Sequence, residues 1–251
     1  MDKDKDIKIR SISLKSYKGF DDVAIDCSKE GTSNEVFQWT VLLGNNNTGK
    51  TRILQAIADM RPIKWIDGKG DDIIVPAFWN KFTKYPEFAR NYVLFNTKDG
   101  WFRYTELGYG YQSMLSWVVD LCKRMFETFP NSDNPLQESA VVLVDEIDLH
   151  LHPKWQREVI SNLSQIFKNV QFIVTTHSPL IIQSMQEVNL YVLRREDEKI
   201  VVEHSPVTNF SGWTVEEILS ETMNLGSDIQ SIYLQESYFM NTKLSMNWNP
   251  I

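Results

Sequence analysis

Only two of the 251 residues are cysteine, Cys27 and Cys122, and they lie far apart. That excludes a disulfide framework and the four-ligand set of a structural zinc site, and it makes a reducing compartment the default expectation. Long apolar runs are also missing. The longest is Ala140 to Val144, far short of the roughly 20 residues that span a bilayer. The opening MDKDKDIKIR alternates charge and has no apolar centre, so it does not read as a secretory leader. No repeat of 20–50 residues recurs, which excludes a solenoid. The excess of charge is acidic, 33 Asp and Glu against 26 Lys and Arg. A net charge of -7 argues against binding nucleic acid with the whole surface, though not against a local basic groove.

What remains is ordinary globular composition, 42% apolar and 24% charged. The chain is long enough to bury about 70–75% of its unfolded surface without a staple. Alternating apolar residues predict a first strand over 7–14, a turn over 15–20 and a second strand over 23–25. A polar loop over 29–35 and a strand over 37–43 follow. Helical spacing recurs over 52–60, 112–129 and 155–167. Residues 92–95 and 101–104 read as a hairpin turned at Lys98-Asp99-Gly100. Residues 140–144 and 172–174 read as strands buried on both faces. Thr214-Val-Glu-Glu217 fits a capping box that opens a helix through Met223. Residues 61–91 and the tail after Gly226 have no clear periodicity. Buried strands alternating with helices predict an α/β fold with a mostly parallel sheet.

Four segments carry chemistry. Gly44-Asn45-Asn46-Asn47-Thr48-Gly49-Lys50-Thr51 follows a strand and opens a helix. Such a loop wraps so that amide N–H groups point at phosphates, aided by the helix N-terminus that continues into Arg52. Lys50 would reach the β- and γ-phosphates, and Thr51 would ligate Mg²⁺. The strand 140–144 ends in Asp145 and Glu146. Asp145 at that point suits Mg²⁺, and Glu146 suits a general base. The strand 172–174 leads to His177, placed to touch the γ-phosphate or the attacking water. Leu107-Gly108-Tyr109-Gly110 precedes a long helix, an arrangement that suits an anion.

These segments, in this order, resemble the ABC-type ATPases of the SMC/RecF/OLD branch. Within it the likeness is to small AAA-family ATPases of prokaryotic defence operons, such as the ATPase subunit of Septu-type systems. GNNNTGKT resembles Walker A, LGYGYQS the ABC signature, VVLVDE Walker B, Ile147-Asp148-Leu149-His150-Leu151-His152-Pro153 the D-loop, and VTTHSP the His switch. The opening strands and Gly212–Leu225 also resemble that group. The resemblance implies one P-loop NTPase domain over 1–251, with a motif-bearing core over 7–185 and a C-terminal segment over 186–251 suited to interaction. It implies an N-terminal antiparallel β subdomain and a reduced helical lobe. It further implies a cytoplasmic homodimer that sandwiches ATP and Mg²⁺, with Asp148 coupling the two sites. An HNH-type nuclease partner is implied, and nucleic acid is a further candidate; no membrane partner is. No nuclease set is recognisable in this chain.

Three departures stand out. The usual signature Ser is Gly108. No Q-loop Gln is evident, since Gln55 is the only Gln between Arg52 and Tyr111. Thr51 and Leu107 are separated by 55 residues, too few for coiled-coil arms. The alternatives are a transporter's nucleotide-binding subunit, or a scaffold gated by nucleotide without hydrolysis. His150 and His152 form an H-x-H pair without an evident third ligand. Lys3, Lys5, Lys8, Arg10, Lys15 and Lys18 are interleaved with acids and read as a solvated edge. DNA contact is the other reading, and its affinity would fall steeply with salt.

Overall fold

A computed structural model describes residues 7–32, 35–59, 78–79, 94–97, 100–196 and 199–223. A six-stranded sheet forms its centre, in the order β10 (Lys199–His204), β9 (Asn189–Glu196), β3 (Trp39–Gly44), β8 (Val170–Thr176), β7 (Ala140–Val144), β4 (Phe78–Trp79). All neighbours are parallel except β9 and β10, which are antiparallel. β1 (Ser11–Tyr17) and β2 (Phe20–Asp26) make a separate antiparallel pair, and β5 (Leu94–Thr97) and β6 (Gly100–Arg103) another. The helices are α1 (Lys50–Asp59), α2 (Tyr109–Thr128), α3 (Pro153–Ile166), α4 (Pro179–Gln183) and α5 (Val215–Met223).

The period of two along each strand splits the core into two layers. Trp39, Val41, Leu43, Val142, Phe172 and Val174 face α2, α3, α4 and α5. Leu42, Leu143, Ile173, Tyr191 and Leu193 face α1 and the β1–β2 pair. Sheet residues buried on both sides read as unbroken apolar runs, which is why β3 and β8 are legible in the sequence. Trp39 and Phe172 are ladder partners and stack at 4.3 Å, and Phe167 meets Phe172 edge-on at 6.2 Å.

The first strand differs from expectation. It begins at Ser11, because Ile7 and Ile9 find side-chain partners for their backbone, while the Arg10 carbonyl still accepts from the Cys27 N–H. Ile7 donates to Ser139 Oγ, and Gln171 both accepts from the Ile9 N–H and donates to the Ile9 carbonyl, each at 2.8 Å. A buried amide side chain thus replaces the neighbouring strand. The strand also runs on to Tyr17, so the turn shrinks to Lys18-Gly19. β7 is less enclosed than expected: Ala140 and Val141 are only half-buried, and the two-residue β4 pairs with Leu143 and Val144. α2 opens three residues early, at Tyr109. The polar loop over 29–35 closes a hairpin, with a bridge between Ser28 and Val36. The capping box forms: Glu217 N–H donates to Thr214 Oγ1 and Glu217 Oε2 accepts from the Thr214 N–H. The tail after Gly226, and residues 61–91 apart from β4, lie outside the described residues.

Phe172 is fully buried between the stacked Trp39 and the edge of Phe167. Phe172→Ala should lower stability by about 3–5 kcal/mol, read from the midpoint of urea unfolding.

Candidate functional site

The turn after β3 is crowded at its two glycines, Gly44 and Gly49, and that crowding sets its shape. Gly49 has φ +87°, and a Cβ there would stand 2.7 Å from Phe20 Cζ and 3.0 Å from Ile200 Cδ1. Neither the backbone nor the space admits another residue. Thr48 is buried and its hydroxyl donates to the Asn45 carbonyl at 2.9 Å, closing the loop on itself. Lys50 folds back across it: Nζ donates to the Gly44 carbonyl at 2.6 Å and the Asn45 carbonyl at 2.8 Å. Burial pushes the Lys50 pKa down, while the nearby Glu146, Asp145 and Asp148 oppose that shift. The Arg52 guanidinium donates to the Lys18 carbonyl and ties α1 to the β1–β2 turn.

The parallel ladder brings the acids beside the end of β8. Leu43 is opposite Thr176 and Val144 is opposite Val174, so β7 stops two residues before β8 does and leaves Asp145 beside Thr175. Asp145 accepts from two hydroxyls, Thr51 Oγ1 at 2.7 Å and Thr175 Oγ1 at 2.5 Å. Thr175 Oγ1 also accepts from the Glu146 N–H at 2.7 Å. Glu146 takes φ 52°, a left-handed conformation unusual for a side chain of its size. The Thr175 contact holds it there. Asn46, Asn47, Thr48, Gly49, Lys50, Thr51 and Arg52 line an open cleft of about 620 Å³ with Glu146. Arg195 on β9 lines it as well.

The remaining predicted residues gather beside the cleft. Asp148 is buried, accepts from Thr176 Oγ1 at 2.6 Å, and has its other oxygen 3.2 Å from His177 Nδ1. The His177 side chain is 45% exposed. Gln156 bridges the two loops, accepting from Ser178 Oγ at 2.7 Å and donating to the Leu151 carbonyl at 3.0 Å. Gly108 and Gly110 do not line the cleft. Gly108 is the N-cap of α2 and brings no capping side chain, and a Cβ on Gly110 would stand 2.4 Å from the His150 carbonyl oxygen. His152 Nδ1 accepts from the Lys154 N–H at 3.3 Å, capping α3. No group of three metal-ligating side chains forms among the described residues. Their helices include none long and apolar enough to cross a membrane.

Thr175, Thr176, Gln156 and Arg195 are the residues that sequence reasoning missed. Two threonines at the end of a buried strand, just before His177, are a signal that could have found the first two. Nothing local marks Gln156 or Arg195.

Comparison with known proteins agrees with the resemblance. The family model described as "AAA domain, putative AbiEii toxin, Type IV TA system" matches residues 86–183. The chain is 37% identical over 131 residues to "Retron Ec83 probable ATPase" of Escherichia coli, covering 52% of this chain and 24% of that protein. It is 33% identical over 148 residues to "Septu protein PtuA" of Bacillus thuringiensis, covering 57% of this chain and 37% of that one. The chain therefore spans well under half the length of these relatives. The solved SMC head domain from Thermotoga maritima aligns with a TM-score of 0.52 at 14% identity, covering 80% of this chain and all of that one. The fold is that of the SMC head, a P-loop α/β architecture.

The two glycines before and within α2 should respond differently to substitution. A Cβ at Gly108 meets only Tyr111, at 4.0 Å, so Gly108→Ser should fold with unchanged or slightly higher stability. Gly110→Ala should cost about 1–3 kcal/mol by pressing on the His150 carbonyl. Thermal unfolding of the two variants beside the parent chain checks both.

Proposed function

We propose that this chain, an SMC-head-like P-loop fold with relatives among retron and Septu proteins, binds ATP and hydrolyses it as a switch in prokaryotic defence. One observation carries the reading. The loop from Asn46 to Arg52 and the acid Glu146 line one cleft, and Thr51 in that lining donates to Asp145 beside it. Phosphates bind where backbone N–H groups and a helix N-terminus converge, and Lys50 adds a held positive charge.

The oxygens of Thr51 and Asp145 form a hard donor pair that fits Mg²⁺. When bound there, the ion would offset charge on the terminal phosphates. Glu146, turned by its left-handed backbone toward the loop, would take the proton of the attacking water. The oxygen of that water bonds to the γ-phosphorus as the bridge to the β-phosphate breaks, leaving ADP and phosphate. His177, facing Asp148 with Nδ1, would turn Nε2 toward the nucleotide.

The cleft is not covered by its own chain's glycine-rich turn. Tyr109, at the start of α2, is 83% exposed. A second copy would supply that turn, its amide N–H groups at Gly108 and Gly110 capping the γ-phosphate. ATP would then hold two copies together until hydrolysis. The Septu-type resemblance extends the proposal to a partner nuclease of the HNH kind, to be sought in the product of the neighbouring gene by co-purification.

Lys50→Ala should weaken ATP binding at least about 100-fold, since a charged donor is lost from a half-enclosed phosphate site. Unchanged affinity in a titration would overturn the phosphate-loop assignment. Glu146→Gln should lower phosphate release at least about 100-fold and accumulate an ATP-bound dimer on size exclusion. A monomer at saturating ATP would count against the sandwich. Equal, negligible rates for parent and variant would favour the non-hydrolysing scaffold.

A further inference from the structure

The sheet order gives any nucleotide on this loop a direction. β8 and β7 flank β3 on one side and bring Asp145, Glu146 and His177; β9 and β10 flank it on the other. A triphosphate whose terminal phosphate faces Glu146 therefore sends its nucleoside end toward β9. Arg195 stands on that side. Gly44, where the loop begins, is the ladder partner of Leu193, two residues before Arg195. Arg195 in turn pairs with Ile200, and antiparallel partners share a face of the sheet. Ile200 packs over Gly49 together with Phe20. That places Arg195 on the face that covers the loop, where it lines the same cleft as Asn46–Arg52.

Arg194 points away from the cleft, to Glu203 at 2.9 Å and the Thr222 carbonyl at 2.6 Å, tying α5 to the sheet. Lys50 gives hydrogen bonds to two loop carbonyls, and Glu146, the acid in the cleft lining, follows β7 on the other side of β3 from β9. Arg195 is the exposed cation that lines the cleft from the β9 side.

We propose that the Arg195 guanidinium grips the α-phosphate and nucleoside end of the bound nucleotide. A planar fork can give paired hydrogen bonds to phosphate oxygens, and its flat face can lie against a purine. This rests on the ATP reading of the cleft. It predicts a residue that sets affinity for ATP and ADP alike and leaves the terminal phosphates to the loop.

The test is calorimetric titration of the full chain with ATP, ADP and inorganic tripolyphosphate, each with Mg²⁺. Arg195→Ala should weaken ATP and ADP about tenfold or more and leave tripolyphosphate unchanged. Arg195→Lys recovering much of the loss would assign the contact to the α-phosphate; no recovery would assign it to the base, and both support the proposal. Unchanged ATP and ADP affinity would overturn it. So would an equal loss for tripolyphosphate, which would put Arg195 at the hydrolysed end. If Arg195→Ala fails to fold, Arg195→Gln carries the same comparison. A parent chain that does not bind ATP would overturn the underlying reading as well; a binding parent with an indifferent variant overturns only this one.

Discussion

Asp145 receives hydroxyl hydrogens from two elements that are distant in sequence, Thr51 on α1 and Thr175 on β8. That double contact joins the phosphate-loop helix, the acid strand and the histidine strand at one carboxylate. It exists because β3, β8 and β7 are parallel neighbours and β7 stops two residues before β8, which sets Asp145 beside Thr175. A one-residue slip of β8 would turn Thr175 to the other face of the sheet. Asp145 would then lose a donor, and the Glu146 N–H would lose its acceptor. The apolar packing of Phe172 against Trp39 and Phe167 is therefore what keeps the chemistry in register.

A second constraint works from outside the sheet. The β1–β2 pair and the β9–β10 pair lie far apart in the chain, yet both close over Gly49, through Phe20 and Ile200. The loop is thus moulded by apolar contact rather than by its own hydrogen bonds alone. The side that receives Phe20 also anchors α1, since Arg52 bonds the Lys18 carbonyl. The histidine loop is braced in a different way, through polar contacts. Asp148 with Thr176, and Gln156 with Ser178 and Leu151, hold the segment after Glu146 against the end of β8.

Much of this could be read in the residues. The glycine-lysine-threonine turn, the acids after AVVLV and the histidine after FIVTT are local patterns, each set on the strand that carries it. Buried parallel strands announce themselves by unbroken apolar runs, and the threonine capping box by its spacing. The start of the first strand was misread for a physical reason. Ile7 and Ile9 alternate like strand residues, yet their backbone is satisfied by the side chains of Ser139 and Gln171. No rule of local spacing sees a partner more than 130 residues away.

The order of the motifs and the α/β character follow from the chain's own pattern, because phosphate loops and buried strands depend on residue types close together in sequence. Which hydroxyls hold Asp145, why Glu146 keeps a left-handed backbone, and that Arg195 rather than Arg194 lines the cleft were decided only by folding. Those facts depend on strand register and on which face each residue presents. Both come from packing two apolar layers onto one sheet, a choice that no single segment makes alone.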